Sequence, residues 1–225
     1  MTPSRSSGVA AVVLATLTAA ACSPATGRTA ASSPQPTARE QGNVAARSKA
    51  QADSARYPWT AADVHFMSGM IGHHAQAIVM SNWVPTHGAS AAIRRLADRI
   101  INAQQDEIAT MQTWLGDRRQ PVPEARATGM KMMMDGMEHE MLMPGMLTED
   151  QMKQLDQARG PAFDRLFLTF MIQHHRGAVS MVKELFGSYG AGQDETVFKF
   201  ASDVNVDQST EIARMELMLA ALPPA

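Results

Sequence analysis

Apolar residues recur at helical spacing in four long segments of this 225-residue chain. Residues three and four positions apart share one face of a helix, so the spacing predicts amphipathic helices. The first is predicted to begin at Thr60, which can form a capping box with Asp63, and to end near Pro85. Capping residues, proline and glycine bound the other predicted helices, at about 90–115, 148–158 (a short one), 160–187 and 194–222.

The two halves of the predicted helical region repeat one another. Met-Ile-x-His-His-x-x-Ala occurs at Met70–Ala77 and again at Met171–Ala178, an offset of 101 residues. Gln-x-x-Glu-Ile-Ala-x-Met occurs at Gln104–Met111 and again at Gln208–Met215, an offset of 104 residues. Because neither helical hairpin can bury its apolar face alone, the two are expected to form a four-helix bundle with pseudo-twofold symmetry. The predicted bounds are 58–116 for repeat one and 148–222 for repeat two.

A methionine-rich linker, residues 124–147, joins the predicted repeats. Its central stretch, Met130–Met146, contains eight methionines and one histidine and has no convincing amphipathic stripe. Thioether sulfur is a soft ligand that selects Cu(I) over hard cations, which favours capture of a soft metal. The alternative is an adaptable apolar surface that binds a partner protein. The candidate ligands here are Met130, Met132, Met133, Met134, Met137, His139, Met141, Met143 and Met146.

The repeated His-His motif supplies a second set of candidate ligands. Met70 precedes His73 and His74 by about one helical turn, so these side chains can reach a shared ion. Adjacent histidines point about 100° apart, which leaves open which member of each pair binds metal. The candidates are Met70, His73, His74, Met80 and Met111 in repeat one, and Met171, His174, His175, Met181 and Met215 in repeat two.

Each of these residues also has a purely structural interpretation. An inward methionine can fill a gap in the core, and a buried histidine can serve as a hydrogen-bonded core residue. Asp63 and Asp164 are interpreted as helix-start residues, and Glu107 and Glu211 as cover for a polar face.

The amino terminus predicts export from the cytoplasm. Arg5 is followed by an apolar run, Val9–Ala21, and then by Cys22, the only cysteine. A cysteine at this place resembles the attachment site of a bacterial lipoprotein, although Ala19 stands where leucine is usual. We therefore expect a lipoprotein signal at 1–22, a lipid on Cys22, a flexible tether at 23–56 and a folded domain at 57–225. An ordinary cleaved signal is the alternative.

Composition and motifs argue against several functional classes. The formal net charge is −2 and no basic stripe is present, so nucleic-acid binding is not expected. A di-iron or di-manganese oxidase needs Glu-x-x-His on two helices, which none of the predicted helices contains, so the chain is not predicted to be an enzyme. Covalently attached haem would need Cys-x-x-Cys-His, which is absent. A structural or interaction lipoprotein remains the alternative to a metal-binding protein.

Taken together, the motifs resemble the domain-of-unknown-function 305 family, ferritin-like bundles that include copper-binding CopM proteins. The resemblance covers about Pro58–Leu222 and includes Met-Pro-Gly-Met-Leu-Thr-x-x-x-Met at Met143–Met152. It implies an all-α, ferritin-like four-helix bundle that binds copper through the methionines and histidines of the two repeats. We therefore expect an extracytoplasmic protein, lipid-anchored at the outer face of the cell membrane, that sequesters copper or exchanges it with a donor or acceptor protein. The oligomeric state stays open.

Overall fold

The structure, a computed structural model, describes residues 38–56, 58–127 and 129–223. Two helical hairpins, α2 with α3 and α5 with α6, meet mainly through α2 and α5. The predicted all-α four-helix bundle is therefore confirmed. The element bounds are α1 Ala38–Arg56, α2 Ala61–Trp83, α3 Ala91–Asp117, β1 Met130–Met134, β2 Met137–Met141, α4 Glu149–Gln157, α5 Gly160–Gly187 and α6 Glu195–Ala220.

Local capping interactions determine where several helices begin. The Thr60 hydroxyl accepts a hydrogen bond from the Asp63 amide, and the Asp63 carboxylate accepts one from the Thr60 amide at 2.6 Å. Thr148 and Gln151 form the same reciprocal pair at the start of α4. These bonds satisfy amides that have no partner within the helix, so the predicted starts of α2 and α4 are confirmed.

Two equivalent aspartates connect each repeat to the loop of the other. Asp63 of α2 accepts a hydrogen bond from the Gly192 amide at 2.7 Å. Asp164 of α5 accepts from the Ser90 amide at 3.1 and 3.2 Å. Both carboxylates are buried, so each bond forms in a low-dielectric setting. The interpretation as helix-start residues is therefore incomplete, because both side chains also hold the two hairpins together.

The methionine-rich linker contains a β-hairpin that the sequence analysis did not predict. Strands β1 and β2 pair antiparallel, with Met130 opposite Met141 and Met134 opposite Met137. Asp135 and Gly136 form the two-residue turn, and both have positive φ, 51° and 78°. Such a turn matches the natural twist of two strands, which explains why the run forms a hairpin.

The segment before the bundle also differs from expectation. Residues 38–56 form helix α1, although the sequence analysis expected a flexible tether there. Alanine, arginine, glutamine and glutamate are strong helix formers even without an apolar stripe, which accounts for the difference. The predicted signal at 1–22, Cys22 and the tether up to residue 37 lie outside the described residues. Among the helices that the structure describes, none has the length and apolarity needed to cross a membrane.

Candidate metal centre

Four buried histidines lie where α2 meets α5. His73 and His74 of α2, and His174 and His175 of α5, are all 0% exposed. His73 and His174, equivalent residues of the two repeats, have ring centroids only 3.8 Å apart at an interplanar angle of 36°. We call these four residues the histidine layer. The sequence-predicted histidine pairs are thus brought together.

A glutamate of the neighbouring helix contacts one histidine of each pair. Nε2 of His74 lies 2.6 Å from the Glu107 carboxylate, although off the direction of a good hydrogen bond. Nε2 of His175 is hydrogen-bonded to the Glu211 carboxylate at 2.8 Å. Because a carboxylate accepts the proton of Nε2–H, the lone pair of the His175 ring is assigned to Nδ1. Metal-binding histidines are commonly held by carboxylates in this way.

The remaining two histidines also present free ring nitrogens. Nε2 of His73 donates to the Pro144 carbonyl at 3.0 Å, which again assigns the lone pair to Nδ1. Across the described part of the chain, Nδ1 of all four histidines and Nε2 of His74 and His174 find no hydrogen-bond partner. Buried polar atoms are normally satisfied, because leaving one unpaired costs free energy. The histidine layer therefore has unused capacity to bind a ligand.

Burial keeps the central pair of imidazoles neutral. Desolvation, helped by the nearby charge of His74, lowers the pKa of His73 from 6.5 to about 3. Desolvation, then repulsion by His73, holds the pKa of His174 well below its usual value. A metal binds the deprotonated nitrogen of a neutral imidazole, so these side chains need lose no proton near neutral pH.

The candidate methionines of the repeats belong to two separate hydrophobic cores, and we call the three in each core a methionine cluster. Each cluster combines two methionines of one repeat with one of the other, so the structure groups them across the repeats. All six side chains are at most 3% exposed. The first methionine cluster contains Met70, Met111 and Met181, and the second methionine cluster contains Met171, Met215 and Met80.

The histidine layer separates these two clusters. Along α2, Met70 of the first cluster precedes the histidine pair and Met80 of the second follows it; α5 has the reverse order, with Met171 and Met181. Within the described ranges, no three His, Cys, Asp or Glu side chains are grouped as metal ligands. A soft-metal site that includes the imidazoles would need further soft donors, such as thioethers. Met70 and Met171 are placed for this, one turn before a histidine pair.

The end of the linker is fixed between α2 and α5. The Gln76 side chain donates to the Leu147 carbonyl at 3.0 Å and accepts from the Leu147 amide at 2.7 Å. At the equivalent position of repeat two, Gly177 leaves room for Pro144, whose carbonyl oxygen would lie 1.9 Å from an added Cβ. The linker therefore brings the Pro144 carbonyl to His73.

The linker methionines occupy very different environments. Met143 and Met146 are buried in the same core as the first methionine cluster, and Met130 packs against it. Met137 and Met141 are 62% and 46% exposed. The side chains of Met132, Met133, Met134 and His139 lie outside the part that the structure describes.

The sequence analysis underrated two residues. Glu107 and Glu211 were interpreted as cover for a polar face, yet each contacts a buried histidine. The sequence did contain a sign of this role: each half has both the motif with the histidine pair and the motif with the glutamate. Recognising it required knowing which face of α3 packs on α2.

Comparison with known proteins gives consistent matches. The family described as Domain of unknown function (DUF305) matches residues 63–219. A DUF305 protein from Streptomyces coelicolor, described as secreted, is 30% identical, with 71% of this chain and 92% of that chain covered and a TM-score of 0.59. CopM in its Cu(I)-bound form is 28% identical, with 71% and 95% covered and a TM-score of 0.53. CopM in Cu(II)-bound and Ag-bound forms matches with TM-scores of 0.54 and 0.51.

A shorter match comes from a viral protein. The uncharacterised protein L153 of Acanthamoeba polyphaga mimivirus is 40% identical over 57 residues, which are 25% of this chain. The match spans 38% of that curated relative.

Proposed function

Because the chain belongs to the DUF305 family, we propose that it binds copper outside the cytoplasm, holding the ion with methionine and histidine side chains. The family match confirms the resemblance expected from the repeated motifs. The proposed role is sequestration of copper or its transfer to and from a partner protein.

One structural observation carries the proposal. The histidine layer presents four buried Nδ1 atoms without hydrogen-bond partners in the described residues, and each of the two hydrophobic cores contains three buried candidate methionines. Sulfur and imidazole donors select soft and borderline cations, Cu(I) above all, while hard cations prefer oxygen. Water is excluded from these side chains, which favours a weakly hydrated soft ion further.

The related structures support the same choice of metal. CopM has been solved in Cu(I)-, Cu(II)- and Ag-bound forms, and Ag(I), like Cu(I), is a soft monovalent ion. The similarity includes 28% sequence identity over 71% of this chain, and the DUF305 family match, residues 63–219, contains both histidine pairs.

The proposed location follows from the amino terminus. An export signal ending at Cys22 would place a lipid on that cysteine and hold the bundle at the outer face of the membrane. The secreted description of the Streptomyces coelicolor protein supports export. Membrane fractionation tests the anchor: the protein should stay with membranes, and the Cys22→Ala variant should be released.

Anaerobic Cu(I) titration against a colorimetric Cu(I) chelator tests copper binding. The wild-type protein should bind Cu(I) stoichiometrically. A triple variant, Met70→Leu/Met111→Leu/Met181→Leu, should bind at least 10-fold more weakly because leucine keeps the volume and removes the sulfur.

Met67→Leu is the matched control for this titration. Met67 is a fully buried methionine of α2 in the same core, but it is not a candidate ligand. It should leave the Cu(I) affinity within about threefold of wild type. Equal weakening by the control and the triple variant would mean that packing, and not sulfur coordination, sets the affinity.

A further inference from the structure

A cavity opens along the outer face of α2, next to the start of the β-hairpin. Its volume is about 700 Å³. One wall is made of α2 residues, most of them small but including His65. The other comes from the segment that follows α3, including Glu124 and Arg126, and from the first residue of β1. The lining includes Val64, Ser68, Gly69, Gly72, Pro123 and Met130.

Two thioether side chains converge on Gly69 in this wall. The position that a Cβ on Gly69 would take lies 3.2 Å from Sδ of Met143 and 3.3 Å from the methyl carbon of Met130. Met130 lines the cavity, whereas Met143 is 9% exposed and belongs to the buried core. The two methionines thus connect the cavity with the interior.

The place where Met130 and Met143 approach Gly69 is next to the core that contains the first methionine cluster. Gly69 immediately precedes Met70, and Met143 lies in the same buried core as Met70, Met111 and Met181. A soft ion held at Gly69 would therefore lie at the edge of a core that contains further thioethers. Exchange between neighbouring thioethers needs no change of oxidation state and no proton transfer.

Only repeat one has glycines in this part of its first helix. The repeat-two equivalents of Gly69 and Gly72 are Phe170 and Gln173. Phe170 is buried, and Gln173 donates to the Gly145 carbonyl. Glycine in a helix interior lowers the stability of the helix. At position 69 the missing side chain is what allows the two thioethers to approach the helix closely.

We propose that Met130 and Met143 form a separate Cu(I) access site at the inner end of this cavity, through which the ion reaches the first methionine cluster. This inference rests on the proposed copper-binding function. Two thioethers are a small set of soft ligands and would hold Cu(I) weakly. Weak binding suits a site from which the ion must pass to the interior.

Stopped-flow transfer of Cu(I) from a colorimetric chelator complex to the full-length protein, under anaerobic reducing conditions, tests the access site. The test variant is Met130→Leu/Met143→Leu, which keeps the side-chain volume. Its loading rate should fall at least 10-fold, while the equilibrium affinity of the interior site stays within about threefold of wild type. Gly69→Ala, whose Cβ would lie 2.7 Å from the Met143 methyl, should slow loading in the same direction.

Met152→Leu/Met218→Leu is the matched control, because both methionines are partly buried and lie in the other core. It should load at the wild-type rate. An unchanged rate in Met130→Leu/Met143→Leu would overturn the access site while leaving copper binding intact. Loss of equilibrium affinity in that variant would also overturn it, because the two methionines would then belong to the interior site. Failure of the wild-type protein to bind Cu(I) would refute the proposed function itself.

Discussion

His73 and His174 occupy equivalent positions in the two repeats, and their rings are tilted by 36° with centroids 3.8 Å apart. The axis that relates the repeats therefore passes between these two side chains. Their environments differ in one respect: His73 donates to the Pro144 carbonyl, whereas within the described residues neither ring nitrogen of His174 has a partner. The single linker enters on one side only, so it breaks the symmetry of the histidine layer.

Acid should destabilise the protein through these two histidines. Burial lowers the pKa of His73 from 6.5 to about 3 and that of His174 in the same direction. Below pH 6.5 these two histidines bind protons in the unfolded chain but stay neutral in the folded protein. The free energy of unfolding should therefore fall as the pH is lowered. The expected loss approaches about 1.4 kcal/mol per pH unit for each histidine once the pH is well below 6.5. Urea unfolding at pH 7.5, 6 and 5 measures it.

The control for this pH dependence is His174→Gln, which removes one of the titrating groups. Its free energy of unfolding should vary less steeply between pH 6.5 and 5. Measurements above pH 5 avoid protonation of Glu211: burial raises its pKa, but the hydrogen bond from His175 and the charges of His175 and Arg99 outweigh that and lower it. A slope equal to that of wild type would contradict the assignment of His174.

Removing the negative charge beside a histidine should weaken copper binding. Glu107→Gln and Glu211→Gln keep the side-chain shape but remove the carboxylate charge next to Nε2 of His74 or His175. Each should lower the Cu(I) affinity by about 10–100-fold, as expected for a carboxylate that orients a ligand. Glu216→Gln, a half-exposed residue of α6 that pairs with Arg176, should have no effect in the same titration.

Gly177 should not tolerate a side chain. An alanine Cβ there would lie 1.9 Å from the Pro144 carbonyl oxygen, and this contact is with backbone that cannot simply rotate away. We expect Gly177→Ala to lower the free energy of unfolding by about 3 kcal/mol. Gly187→Ala, with nothing within 4 Å of its Cβ, should change it by less than about 1 kcal/mol. Similar unfolding curves for the two variants would argue against tight docking of the linker on α5.

The bond between Asp164 and Ser90 should contribute measurably to stability. Asp164→Ala leaves the Ser90 amide without its carboxylate partner, so we expect a loss of about 1–3 kcal/mol in urea unfolding. Asp98→Ala, at an exposed position of α3, is the control and should change stability by less than about 0.5 kcal/mol. A loss no larger than that of the control would show that the cross-repeat bond is dispensable.

Features that depend on neighbouring residues could be predicted from the sequence. The Thr60–Asp63 and Thr148–Gln151 caps each span three residues, and both helix starts were found. The repeated motifs revealed the paired hairpins, because two copies of one pattern must pack in equivalent ways. The β-hairpin was missed although Asp135-Gly136 is a strong turn signal, since six of the ten strand residues are methionine and no alternation of apolar and polar positions marks the strands.

Features that depend on the packing of distant segments could not be predicted. Met70 and Met80 share a helix but lie in different clusters, because α2 crosses α5 at the histidine layer. Spacing along one helix could not show that Met70 joins Met181 of the other repeat. The approach of Met143 to Gly69 likewise depends on where the linker returns to the bundle.

Anomalous diffraction at the copper edge from crystals loaded with Cu(I) tests the central claim most directly. We predict a strong peak inside the bundle, within bonding distance of an Nδ1 atom of the histidine layer and of at least one thioether of a methionine cluster. Copper found only on the protein surface, away from both kinds of donor, would contradict it.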